Sequence, residues 1–165
     1  DRIVSVNDAW NAFAVANGAP ELSTSKIIGW SLWSFITDDV TRDIYRKILV
    51  AVRKGKPFDF DFRCDSPDYR RFLKMKISVV MDAGVQFETS IVHLEARASQ
   101  NILRTSRSFN DHLVTICSWC NMINTGENAW HEIEEAINIL RLFDVDPAPR
   151  LSHGVCDACM EEISK

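Results

Sequence analysis

Apolar residues along the chain change period twice, and each change marks a new set of elements. From Asp8 to Asn17, the residues Trp10, Phe13 and Ala14 recur at helical spacing, which predicts a helix. Asn7 or Asp8 caps it, because a short polar side chain accepts from the free N–H groups of the first turn. Asn17-Gly18 ends it. Ahead of it, residues 2–6 read as a short strand. The run KIIGWSLWSFI, dense in large apolar residues around one glycine, reads as a short strand and turn wrapping the core, with Trp10, Trp30 and Trp33 inside. Asp38 or Asp39 caps the next helix, where Ile44, Ile48, Leu49 and Val52 share a face and Gly55 and Pro57 stop the chain.

The period then drops to two. Phe58, Phe60 and Phe62 alternate with Asp59 and Asp61, and after a DSPD turn Leu73, Met75, Ile77 and Val79 alternate with Lys74 and Lys76. A DAG turn leads to a third strand with Val85, Phe87 and Ile91 on one face, and His93 falls in the same inward register. Three strands joined by short turns form an antiparallel meander. With the first strand and the helices, the expected class is α+β. Arg70 and Arg71 beside Asp65 and Asp68 read as a solvated turn with local ion pairs. Residues 96–113 are polar, with Ala98, Ile102, Phe109 and Leu113 as sparse apolar positions, and read as a linker helix. The helical period returns with Trp130, Ile133, Ile137 and Leu140, which predicts an amphipathic helix over 129–143 with its glutamates outward. The expected division is a sheet domain at 1–95, the linker at 96–113 and a cysteine module at 114–165.

Composition narrows the picture. The chain has 165 residues, 46% hydrophobic and 25% charged, as a globular protein does. No apolar run reaches the ~18 residues of a membrane helix, and no signal peptide is visible, so a cytoplasmic protein is expected. It opens on Asp1 and not on Met, so the sequence leaves open whether it is a fragment of a longer protein. From Cys117 to Lys165 there are nine acidic and three basic residues, against a net charge of −4 for the whole chain. An acidic tail lacks the basic footprint that nucleic acid requires.

Four of the five cysteines stand in two Cys-x-x-Cys pairs, Cys117/Cys120 and Cys156/Cys159. An odd count argues against a full disulfide framework, and paired spacing in a reducing compartment points to metal or redox chemistry. Two sulfurs from one tight turn reach a single ion, and two such pairs complete a tetrahedron of thiolates, so the expected cofactor is structural Zn2+. The first pair follows a strand-like LVTI and the second opens a helix, a treble-clef-like order. The 35 residues between the pairs exceed the spacing of simple zinc modules, and the predicted tail helix fills them. His153 is the alternative ligand, replacing one thiol, or else donates a ring N–H to a sulfur or carbonyl behind the ligands. Two other readings stand beside structural zinc: four buried thiols without metal, and a reversible thiol switch. In either zinc reading the metal supplies folding energy to residues 114–165, while the sheet domain stands without it. Cys64, alone, reads as a small buried hydrophobe.

The segments IVSVNDAWNAFAVANG and KIIGWSLWSFI, followed by a helix and a three-strand meander, resemble a PAS domain over residues 2–95. The tail resembles a cysteine module that follows PAS domains in some bacterial signalling proteins. Its marks here are Cys117, Trp119, Cys120, Trp130, Glu134, Ser152, His153, Gly154, Cys156 and Cys159. The resemblance implies a five-stranded antiparallel sheet with flanking helices, a role in signal transduction, a homodimer, and a signalling partner or fused output domain. It also raises a ligand in the PAS core. His93 could ligate haem, or be a core or strand-end histidine, and no residue pattern specifies the ligand. The c-type haem motif and the reactive-cysteine motif of flavin light sensors are both missing. There is no nucleophile beside its base, no phosphate loop and no kinase or cyclase motif, so the expectation is binding and not catalysis.

Overall fold

Helix α3 (Asp39–Arg53) anchors the fold. Asp38 caps it, its Oδ1 accepting from the Thr41 N–H at 2.6 Å. The buried stripe is Ile44, Ile48, Leu49 and Val52, each contributing roughly 1.5–3 kcal/mol when fully buried. Gly55, at φ +85, turns the chain out of the helix in a conformation that side chains with a Cβ disfavour. The structure, a computed structural model, describes residues 1–103, 109–142 and 148–164.

The stripe packs on a three-stranded antiparallel sheet of β1 (Phe58–Arg63), β2 (Tyr69–Val79) and β3 (Val85–Ala96), in that order. Phe58 stands opposite Ile77, Phe60 opposite Met75 and Phe62 opposite Leu73; Leu73 is buried and the other five pack in the α3 cluster, while Asp59 and Asp61 are exposed on the other face. Period two therefore holds through β1 and most of β2; Val79 escapes it, 44% exposed near the hairpin tip.

The expected five-stranded sheet is not what these residues build. Residues 2–6 meet the second apolar run through the isolated bridge Arg2–Ser31, the backbone hydrogen bonds Ile3 N to Trp30 O and Gly29 N to Ile3 O, and the Arg2 guanidinium donating to Gly29 O, and form no strand with it. Gly29, at φ +85, then turns the chain away, and Val4 is left 82% exposed. The KIIGWSLWSFI run forms the short helix α2 (Thr24–Ile27) and a 3₁₀ turn at Leu32–Ser34. Trp10 of α1 (Asp8–Ala16) and Trp30 are exposed rather than in the core, with the Trp10 indole N–H donating to the Leu22 carbonyl at 2.7 Å.

The expected linker helix is also absent from the described part of 96–113. Asn101–Leu103 is a 3₁₀ turn and Phe109–Cys117 is strand β4; residues 104–108 lie outside the described residues. A second sheet follows, with β5 (Ile123–Gly126), β6 (Ala129–His131) and β7 (Ala148–Gly154) in the order β6-β5-β4-β7. The tail helix is shorter than expected: α4 spans Ile133–Ile139, and Trp130 lies in β6. Residues 143–147, the expected end of that helix, lie outside the described residues. α5 (Asp157–Ile163) closes the chain, and among the described residues no helix is long and apolar enough to cross a membrane.

Successive residues of β4 point to opposite faces. Ile116 joins Ile123, Ile133 and Ile137 in one buried cluster, while Cys117 joins the α3 cluster with Trp119 and Cys156. The sheet domain and the cysteine module thus share a core across the expected boundary at residue 95.

Candidate metal centre

The topology of the second sheet brings the two cysteine pairs together. β4 and β7 run parallel, with Ile116 beside His153 and Cys117 beside Gly154, so the turn after β4 and the helix after β7 start side by side. A Cβ on Gly154 would meet Thr115 Cγ2 at 3.0 Å, so glycine suits this close approach. The turn after β4 is a knuckle. Cys117 N donates to Met122 O at 2.8 Å, Asn121 N to Cys117 O at 3.0 Å, and Ser118 N reaches across to Gly154 O at 2.8 Å. Cys156 caps α5.

The sulfurs of Cys117, Cys120, Cys156 and Cys159 all lie within 4.8 Å of one another. Metal–sulfur bonds of about 2.3 Å in a tetrahedron put sulfurs about 3.8 Å apart. The Cys120 and Cys156 sulfurs are 3.7 Å apart. The Cys156 N–H donates to Cys117 Sγ at 3.4 Å and the Cys159 N–H to Cys156 Sγ at 3.5 Å, the orientation that favours thiolates. Geometry and donor set therefore fit a metal ion. His153 is exposed on β7 and outside this group.

Without a cation the four thiols cannot all ionise at such separations. Cys117 takes the charge: the hydrogen bond from the Cys120 thiol, with backbone N–H groups of Cys120, Cys156 and Trp119, holds it at about 4 against burial. Cys120 is pushed up, first by that same bond and then by burial. Cys159 is pushed up to about 12, chiefly by burial. A divalent cation relieves this conflict by offsetting two of the four negative charges and bonding to every sulfur.

Three features around the centre lay beyond sequence reasoning. Trp119, between the first two cysteines, packs its indole against Phe60 and Tyr45, with ring centroids 5.5 and 5.8 Å away, and Arg63 N donates to its carbonyl at 2.6 Å. The motif shows that tryptophan, but its partners stand far away in the sequence. The second feature is an ion-pair network in place of the expected solvated turn. Asp65, with its side chain fully buried, holds Arg63 at 2.5 Å and Arg97 at 3.2 Å. Arg63 also reaches Glu132 at 2.7 Å, and Arg70 reaches Glu134 at 3.0 Å. Burial works against the Arg63 charge, but Asp65 and Glu132 more than offset it and hold its pKa above the usual value.

The third is a β-bulge. Leu73 pairs with Ile91 but Phe72 pairs with His93, so Val92 is the extra residue and every later side chain of β3 changes face. His93 therefore leaves the inward register: its side chain is 61% exposed, with Nε2 3.2 Å from Glu95. It is not placed to ligate a haem in the sheet core. Cys64 is half-buried, not the fully buried residue expected, and burial pushes its thiol up.

No family model, curated protein or solved structure matches this chain.

Proposed function

We propose that the chain is a sensory or interaction module of bacterial signal transduction. In this reading a structural zinc ion on Cys117, Cys120, Cys156 and Cys159 locks the tail onto a PAS-like front half, in a treble-clef-like arrangement. The observation that carries it is the convergence of four sulfurs within 4.8 Å at the seam between the two sheets. A tetrahedral all-sulfur set suits zinc or iron–sulfur centres, and a closed four-ligand site is structural, not catalytic. Support for the PAS-like reading is the order of small helices, long helix and three-strand meander, with the first two strands reduced to a bridge. The module acts by binding and shape change in the cytoplasm, where thiols stay reduced. Its partners are a second copy of the chain and a signalling protein or fused output domain. Val79, Val80 and Met81, exposed at the hairpin tip, offer an apolar surface for such contacts. Sedimentation equilibrium returning only monomer would remove the dimer.

The deciding experiment is elemental analysis with an absorbance spectrum. One zinc per chain is expected, with no visible band. Cys156→Ser should lose most of the metal, whereas His153→Ala should keep it. Iron with charge-transfer bands, or no metal in protein purified without chelator, would overturn the zinc assignment.

The redox switch is a second reading, and one observation favours it. Cys120 and Cys159 are only half-buried, unlike Cys117 and Cys156. Zinc released with disulfide formation under peroxide, and taken up again on reduction, would establish it.

A further inference from the structure

A cavity of about 520 Å³ lies between the first sheet and the cysteine knuckle, and two of the four clustered sulfurs, Cys120 and Cys159, are on residues of its wall. The other two sulfurs belong to residues almost wholly buried, Cys117 at 0% and Cys156 at 4% exposure. We propose that this cavity admits a neutral organic hydroperoxide, which oxidises Cys120 and Cys159 to a disulfide and expels the metal. The inference rests on the metal-thiolate reading given above.

The wall determines what fits. Phe62, Phe72, Leu73, Val92 and Trp119 give it an apolar lining, and the size is in the usual range for a small ligand, roughly 300–1,000 Å³. The bulge at Val92 shapes its β3 side. Most charged groups there are engaged, Arg63 with Asp65 and Glu132 and Glu95 with His93 and Arg70, while the exposed Asp61 carboxylate at the edge repels an anion. An ionic ligand meets spent charges, whereas an apolar body meets aromatic and aliphatic surface. Two thiolates on one wall suit an oxidant better than an alkylating agent, since alkylation consumes one thiol and disulfide formation consumes both.

The step balances. One accessible thiolate attacks the distal oxygen of the hydroperoxide. An S–O bond forms, the O–O bond breaks, and the alkoxide leaves as an alcohol after taking a proton. The second thiolate attacks the resulting sulfenic sulfur. The S–S bond forms, the S–O bond breaks, and hydroxide leaves as water with a second proton. The two thiolates are oxidised by two electrons in total, the peroxide is reduced by the same two, and the metal loses half its ligands and departs. Cys117 and Cys156 remain unoxidised, so a dithiol reductant restores the site.

The test uses the full zinc-loaded chain, mixed with cumene hydroperoxide or with hydrogen peroxide. Zinc release is followed with a chromogenic chelator, and the cysteines are mapped by alkylation and mass spectrometry. Burial of the aryl group should make cumene hydroperoxide faster by at least about tenfold. The product should carry a Cys120–Cys159 disulfide with Cys117 and Cys156 alkylated. Val92→Asp, at a residue already 66% exposed, should keep its zinc and lose most of that preference. Equal rates for the two peroxides in the native chain, or a first disulfide that includes Cys117 or Cys156, would overturn the proposal even if the variant failed to fold. A chain that holds zinc but ignores both oxidants would sink this inference alone, while a chain that binds no zinc would sink the metal reading beneath it.

Discussion

Tyr45 shows at the scale of one residue how the centre and the sheet share a core. Its ring touches Phe60 and Phe87 of the sheet and Trp119 of the knuckle. Burial pushes its phenol from 10.0 up to about 12. The unfolded chain therefore ionises this tyrosine first as the pH rises, and the folded state loses stability between about pH 10 and 12. Tyr45→Phe keeps the ring and removes the titration. Denaturant unfolding of metal-loaded protein across that window should show a shallower alkaline fall in the variant; an unchanged slope would mean other groups dominate. The neighbouring Trp119 indole N–H is buried with no hydrogen-bond partner among the described residues, an omission that costs about 1–3 kcal/mol and is borne here by the packing around the ring.

Elements differ in how openly the sequence announces them. α3 was readable from its stripe and its cap, and β1 from its strict alternation, because both properties are local. The bulge in β3 was not readable: the alternation continues into His93, and only the pairing with Phe72 and Leu73 reveals the extra residue. The cysteine spacing marked the four candidate ligands, yet the strand that positions the second pair, β7, depends on a parallel partner some forty residues earlier in the chain. Trp130 has helical spacing with Ile133 and Ile137, but strand pairing with Asn124 takes it into β6. The Asp65 network joins β1, the end of β3 and the start of α4, and no short window of sequence contains it. Because Asp65 has no exposure, removing one of its cations leaves a buried charge short of a partner. Arg97→Ala should destabilise the fold by roughly 3–5 kcal/mol in chemical denaturation. A loss of under about 1 kcal/mol would place the pair among ordinary surface bridges.

For the whole molecule, the shared cluster alters what metal removal does. A cysteine module with its own small core would unfold alone and leave the sheet domain standing. Here Cys117, Trp119 and Cys156 pack in one cluster with Ile44, Ile48, Leu49 and Ile77. Chelation should therefore lower the midpoint of a single thermal transition seen by both circular dichroism and tryptophan fluorescence. Limited proteolysis of the chelated protein should yield no long-lived fragment ending near residue 110. A stable fragment of that kind, with a retained second transition, would restore two independently folding parts.

The parallel pairing of β4 with β7 has a mechanical consequence. A pull on α5 travels back along the chain to Cys159 and Cys156 before it reaches β7. With a metal ion on the four sulfurs, the first bonds to carry that tension would be metal–sulfur bonds of about 2.3 Å, stiff and few. The β4–β7 hydrogen bonds come next. Since β7 is drawn from its far end while β4 is held from its near end, they are loaded together in shear instead of opening one by one. An ion held there would act as a force-bearing rivet: with it, load on α5 would pass through the knuckle and Trp119 into the first sheet; without it, the same load would peel α5 away first and then fall on the β4–β7 hydrogen bonds alone.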